Sequence, residues 1–271
     1  MPLDSINHII CIASGKGGVG KSSTAVNLAI ALAKTGKKVG ILDADIYGPS
    51  LPLMLGIGAE TRPQIVDKRF MIPVEAHGVV CNSMGLLVDA KTAMVWRAPM
   101  IISAFNQILN DTQWGDLDVL IVDMPPGTGD IQLSLAQSVK VAGAVIVTTP
   151  QDVALLDARK GIEMFAKVDV PVLGVVENMS THICTECGHE EAIFGTGGGE
   201  RLAQEYNVGV IGRLPLDILI RESTDGGNPV VASSPSAKAA EAYMQLAEEV
   251  ILRLEERGKS ASAPTISVSD D

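Results

Sequence analysis

Aromatic side chains are scarce: Phe, Trp and Tyr make up 3% of the 271 residues. Aliphatic packing must therefore dominate the core, and with 46% hydrophobic residues there is enough of it for a sizeable one. Positive charge is also in deficit. Lys and Arg number 21 against 32 Asp and Glu, a net charge of −11, which argues against a general grip on nucleic acid through phosphate neutralisation. No apolar run approaches the roughly 20 residues of a membrane span, and the N-terminus lacks a secretion-signal pattern. Cysteine is sparse, four in all, with Cys11 and Cys81 inside apolar runs. That is core usage and not a disulfide framework. These absences predict a cytoplasmic protein that engages neither nucleic acid nor membrane. The length suits one large α/β domain or two small ones.

What the chain does have is glycine concentrated in one place. Residues 15–23 read Gly-Lys-Gly-Gly-Val-Gly-Lys-Ser-Ser, satisfying G-x-x-x-x-G-K-[ST] with Gly15, Gly20, Lys21 and Ser22. Gly15, Gly17, Gly18 and Gly20 free the backbone on either side of Val19 to turn tightly and offer its amides to phosphate oxygens. A helix opening near Lys21 favours the same anion. Lys21 can reach the β- and γ-phosphates, and the Ser22 hydroxyl can bind Mg²⁺. The apolar run Ile9–Ala13 before the loop and the helical recurrence over 24–34 after it supply the strand–loop–helix context.

The same alternation continues along the chain. Strands are expected over 8–13, 39–43, 78–84, 119–123, 143–148, 172–177 and 208–211. Helices are expected over 21–34, 99–110, 131–141, 153–167, 199–206 and 237–256. Several strands are unbroken aliphatic runs, as when both faces of a sheet are covered. The prediction is an α/β fold, a doubly wound, mostly parallel sheet flanked by helices. One P-loop ATPase domain would span 1–257, with an insertion near 180–196. Residues 258–271, rich in Ser, Ala, Pro and Asp, read as a disordered tail. The helix before the tail is too acidic for an anionic membrane surface.

Acids close several of these strands. Val119-Leu120-Ile121-Val122-Asp123 is a Walker B pattern whose aspartate holds Mg²⁺. In the following Met124–Asp130 loop, Gly127 can bring an amide to the γ-phosphate and report ATP against ADP. Asp43 ends another strand, and Asp45 just beyond it can face the metal and the attacking water.

Cys184 and Cys187 form a C-x-x-C pair among His182, Glu186, Gly188 and His189, a polar setting that favours an exposed loop. Spacing alone leaves three readings open. The pair could be half of a four-thiolate iron–sulfur site completed by a second chain across a two-fold axis. It could bind Zn²⁺ with His182 or His189 in one chain, or it could be a redox dithiol.

The second lysine of the loop, Lys16, makes the sequence resemble the deviant Walker A group of MinD, ParA and the nitrogenase iron protein. Within that group four stretches resemble the Mrp/ApbC branch of iron–sulfur cluster carrier ATPases: Asp43–Ser50, Trp96-Arg97-Ala98-Pro99-Met100, Asp123–Asp130 and Glu177-Asn178-Met179-Ser180. The likeness runs from about residue 6 to 250 and includes the cysteine pair. Ala98 stands where many members have glycine. The resemblance implies that Lys16 reaches across a homodimer to the partner's nucleotide. Lys21, Ser22 and Ser23 would bind phosphate and Mg²⁺. Asp45 would orient the attacking water, Asp123 would support the metal, and Asn178 would contact adenine beside Arg213 and Pro215. It favours a [4Fe–4S] cluster on Cys184 and Cys187, with Zn²⁺ possible in its place, and apo iron–sulfur proteins as recipients. The rival function is a MinD/ParA-like positioning or partition ATPase with a structural zinc site.

Overall fold

The structure, a computed structural model, describes residues 3–87, 98–129, 132, 134, 139–184 and 186–261. Trp96, Arg97, Asp130, Thr185, most of the helix expected over 131–141 and the tail from 262 lie outside these residues. The described strands are β1 (Ile6–Ala13), β2 (Val39–Asp43), the short β3 (Gln64–Val66), β4 (Phe70–Ile72) and β5 (Val74–Ala76), then β6 (Val79–Ser83), β7 (Leu117–Asp123), β8 (Gly143–Thr148), β9 (Val172–Glu177), β10 (His182–Ile183), β11 (Glu190–Glu191) and β12 (Val210–Arg213). Eight of them make one sheet in the order β12-β9-β8-β1-β7-β2-β6-β5. Its neighbours are parallel except β5, which runs antiparallel along β6 at one edge.

Helices cover both faces, and strand periodicity shows how. Ile10 and Ile12 of β1, with Val119 and Ile121 of β7, pack in one core with α1 (Lys21–Lys34), α2 (Leu51–Met54), α7 (Ile218–Asp225), α8 (Val230–Ser233) and α9 (Lys238–Ala261). The alternate residues Ile9, Cys11, Leu120 and Val122 face a second core closed by α4 (Ala98–Asp111), α5 (Asp152–Lys167) and α6 (Gly198–Glu205). A period of two on a sheet buried on both sides accounts for strands without polar positions. Cys11 and Cys81 are wholly buried, one in each core, and burial pushes both thiols up.

The boundary differences are local. Asn207 turns left-handed and the Val208 amide closes α6 on Ala203, so the strand expected from 208 begins at Val210. The last helix runs on to Ala261, past Gly258. Helices α2, α3 (Met84–Leu87), α7 and α8 join segments that carried no periodic signal. No described helix is long and apolar enough to cross a membrane.

Strand β1 lies between β7 and β8, where the order of the sheet reverses. The crevice at the C-terminal ends of strands at such a switch point is the usual ligand position in open α/β sheets. The loop of residues 15–23 leaves β1 there.

Candidate functional site

The phosphate loop is held from three sides. The Ser14 hydroxyl donates to the Lys16 carbonyl at 2.9 Å. Gly18 and Gly20 take φ of 82° and 83°, the left-handed region that glycine enters without penalty. Gly15 abuts α5 so closely that a Cβ there would collide with the backbone of Asp157 and Ala158. Helix α1 then begins at Lys21, with Gly20 in the N-cap position. Ser22 and Ser23 sit half-buried on its first turn, and Lys16 is half-buried on the loop. Among the described residues Lys16 pairs with no carboxylate.

Lys21 points into the protein. Its Nζ lies 2.6 Å from Asp123 Oδ1 and donates to Ser22 Oγ at 3.1 Å, with both partners of the ion pair almost fully buried. Burial pushes the Asp123 carboxyl up against the opposing pull of Lys21. Asp123 Oδ2 is buried without a hydrogen-bond partner among the described residues. A solitary anionic oxygen beside a serine hydroxyl fits a hard divalent cation such as Mg²⁺, which takes oxygen ligands and keeps waters.

Asp43 faces Asp123 in register across β2 and β7. Its carboxylate accepts from the amides of Asp45 at 3.1 Å, Ser50 at 3.1 Å and Leu51 at 3.2 Å, and from Ser83 Oγ at 3.0 Å. Those bonds fasten the loop that carries Asp45 to the end of the sheet. Burial, followed by the nearby Asp123 charge, raises Asp43 to about 7. Asp45 is half-buried and accepts from the Gly48 amide at 3.3 Å.

Beyond β7, Gly127 takes φ of 94° and its amide donates to the Ser14 carbonyl at 3.0 Å. The amide expected at a γ-phosphate is thus engaged with the phosphate loop in this structure. Gln132 clamps the same segment, donating to the carbonyls of Pro125 at 3.1 Å and Gly127 at 3.0 Å while accepting from the Gly129 amide at 3.0 Å. Gln132 carries no sequence signal, because nothing in a lone glutamine forecasts bonds to loop carbonyls.

Asn178 is buried, and its Nδ2 donates to the Val19 carbonyl at 2.8 Å. It therefore touches the phosphate loop itself. The segment 213–216 runs beside it: Leu214 donates its amide to the Glu177 carbonyl at 2.9 Å and accepts from the Ser180 amide at 3.0 Å. Pro215 is half-buried; Arg213 is exposed and ion-paired with Glu200, whose carboxyl it holds down. Glu177 receives the Gly199 amide at 2.6 Å at the start of α6, another contact with no sequence signal.

The cysteines stand apart on a small hairpin. Strands β10 and β11 pair antiparallel, and between them the Cys184 amide donates to the His189 carbonyl and the Gly188 amide to the Cys184 carbonyl, each at 2.9 Å. Cys187 is exposed and Cys184 half-buried. Backbone N–H groups of Cys187 and Glu186, together with the Cys187 side chain, hold the Cys184 thiol below its ordinary range. His182 turns away, its Nδ1 3.0 Å from the Leu216 carbonyl. Among the described residues no three His, Cys, Asp or Glu are grouped so as to hold a metal ion.

A mostly parallel sheet with a glycine loop at its switch point, a buried lysine on that loop and a strand-end aspartate behind it define a P-loop nucleotide-hydrolysing protein. The chain belongs to the ParA family of NUBPL iron-transfer P-loop NTPases, whose sequence profile matches residues 5–251. It is 59% identical over 249 residues to the iron–sulfur cluster carrier protein of Haemophilus influenzae, covering 92% of this chain and 67% of that one. The mouse iron–sulfur cluster transfer protein NUBPL is 51% identical over 255 residues, 93% of this chain and 79% of its own. Among solved structures, a nucleotide-binding protein from Archaeoglobus fulgidus in complex with ADP is 38% identical at a TM-score of 0.73, covering 83% of this chain and 88% of that one. The cell-division ATPase MinD of Pyrococcus furiosus is 25% identical at 0.68, covering 91% and 99%.

Proposed function

We propose that the chain is an ATP-hydrolysing carrier that takes an iron–sulfur cluster on Cys184 and Cys187 and passes it to apo-proteins. The observation that carries this reading is the cysteine hairpin. It presents two accessible sulfurs, one of them lowered toward thiolate, and among the described residues no third ligand groups with them. Two thiolates are half of a four-thiolate site, and a homodimer supplies the other half. Exposed thiolates suit a cargo meant to leave. The carrier and transfer proteins that the chain resembles point the same way. A positioning ATPase of the MinD kind would leave this pair idle.

At the nucleotide, the amides of residues 15–20 and the start of α1 favour the phosphates. When bound, Mg²⁺ would neutralise charge on the phosphate oxygens, held by Ser22 Oγ and Asp123. Lys21, released from Asp123, would turn to the β- and γ-phosphates. Asp45 would orient the attacking water. Lys16, free of ion pairs among the described residues, would reach the partner's nucleotide. Asn178 would meet the adenine with Arg213 and Pro215 nearby. Gly127 would exchange the Ser14 carbonyl for the γ-phosphate. Electrostatic positioning of the transferring group supplies most of such catalysis. The cytoplasm, with its reduced thiols, suits the exposed pair.

The test is transfer. After anaerobic loading with iron and sulfide, the wild type should restore activity to an apo iron–sulfur enzyme in the presence of a chelator that traps free iron. Cys184→Ala and Cys187→Ala should not. Equal transfer by the variants would overturn the proposal.

A further inference from the structure

Asn178 stands between the two sites, six residues before Cys184 in the sequence. On one side its Nδ2 donates to the Val19 carbonyl at 2.8 Å in a buried position. The orientation of this amide follows from its partner, because a carbonyl can only accept. Val19 lies between two left-handed glycines, so the direction of its carbonyl is set by the conformation of the phosphate loop. The fit is close: a Cβ on Gly20 would collide with Asn178 Nδ2. The Asn178 backbone is fixed as well, donating to the Thr148 carbonyl at 2.8 Å.

On the other side the chain leads directly to the cysteines. Met179 takes a left-handed φ of 57°, unusual for a side chain of its kind. From there the strand is fastened residue by residue to 214–216. The Ser180 amide and hydroxyl both donate to the Leu214 carbonyl, at 3.0 and 3.1 Å. The Leu216 amide donates to the Thr181 carbonyl at 2.7 Å, and His182 Nδ1 donates to the Leu216 carbonyl at 3.0 Å. Residues 180–182 and 214–216 are thus cross-bonded into a two-stranded strap that ends in the β10–β11 hairpin. The left-handed Met179 is the joint between Asn178 and that strap.

We infer that Asn178 is a positioning residue that couples nucleotide occupancy of the phosphate loop to the presentation of Cys184 and Cys187. This rests on the carrier reading and adds its regulation. Nucleotide in the loop competes with Val19 for the Asn178 amide or moves the carbonyl that it grips. In either case the strap, stiff in itself, shifts at Met179 and carries the hairpin with it. Coupling of this kind is reciprocal. Whatever factor ADP imposes on the sulfurs, occupancy of the sulfurs imposes on ADP affinity.

The test needs no cluster. Iodoacetamide alkylation of Cys184 and Cys187 is followed in reduced, metal-free protein, with and without saturating ADP and Mg²⁺, at a concentration where gel filtration shows one oligomeric state. The buried Cys11 and Cys81 stay silent. In the wild type ADP should change the rate about fivefold or more, the lower end of ordinary coupling. In Asn178→Ala, at ADP concentrations shown by calorimetry to saturate it, the change should fall below about twofold. His182→Phe cuts the strap from Leu216 at its far end; it should keep wild-type ADP affinity and lose the response. That variant decides the matter should Asn178→Ala bind ADP too weakly to saturate. Indifference of the wild-type sulfurs to ADP, a full response in both variants, or a full response in His182→Phe where Asn178→Ala cannot be saturated, overturns the inference. A wild type that loads a cluster yet ignores ADP removes the coupling and leaves the carrier standing. One that responds to ADP yet loads no cluster does the reverse.

Discussion

Lys21 and Asp123 meet as an ion pair at 2.6 Å, in a pocket that leaves the second oxygen of Asp123 without a partner among the described residues. A buried pair of this kind is costly to halve, because the survivor keeps its charge without its counterion. Lys21→Ala should therefore lower the unfolding free energy by about 3–5 kcal/mol while abolishing productive nucleotide binding. Denaturant melts and ADP calorimetry on the same preparation check both. A variant as stable as the wild type would show that the pair does not persist in solution.

Asp43 makes ligand-free stability depend on pH. Unfolded, it ionises near 4; folded, burial and the Asp123 charge raise it to about 7. Between those values the folded chain retains a proton that the unfolded chain has lost, so this group's contribution to stability declines as pH rises from about 4 to about 7 and is level above. From pH 5 to pH 8 the decline should be roughly 2–3 kcal/mol. Asp43→Asn should flatten that limb while loosening the Asp45 loop, read as a lower kcat. Urea midpoints at the two pH values, without Mg²⁺ or nucleotide, measure it.

Gly15 admits no side chain. In Gly15→Ala the new methyl meets the backbone of Asp157 and Ala158 and not the yielding end of a side chain, so either α5 or the loop must move. The expected result is a fall in ADP affinity of tenfold or more, about 1.4 kcal/mol, together with a lower melting temperature.

Lys16 should behave in the opposite way. It is half-buried and unpaired with any carboxylate among the described residues, so Lys16→Ala should leave stability within about 0.5 kcal/mol of wild type. Its effect should fall on turnover, and turnover per chain should rise with protein concentration in the wild type and not in the variant. Unchanged hydrolysis in Lys16→Ala would remove the cross-subunit role.

Much of this site was legible in the sequence because its parts are long or chemically distinctive. Five apolar residues before a glycine loop at 15–20, and four before Asp123, admit few other folds, and the strands over 39–43, 143–148 and 172–177 are apolar runs that each close on a polar residue, Asp43, Thr148 and Glu177. The short β3–β5 and the helices α2 and α8 gave no signal, since three residues are too few to show alternation and four cover barely one helical turn. The eight-residue α7 had a cap to announce it, Asp217 accepting from the Leu219 amide at 2.8 Å, but only two turns of pattern after it. Contacts made only by tertiary placement were invisible: Gln132 on the 125–129 loop, Glu177 at the start of α6, and His182 on the Leu216 carbonyl.

What Cys184 and Cys187 hold decides whether the chain is a carrier. The direct measurement is iron, acid-labile sulfide and visible absorption on protein reconstituted anaerobically, with mass measured in solution, for the wild type and for Cys184→Ala and Cys187→Ala. One [4Fe–4S] cluster per two chains, lost with either cysteine and accompanied by a dimer, is the predicted result. No cluster in the wild type, or the same cluster in both variants, would contradict it.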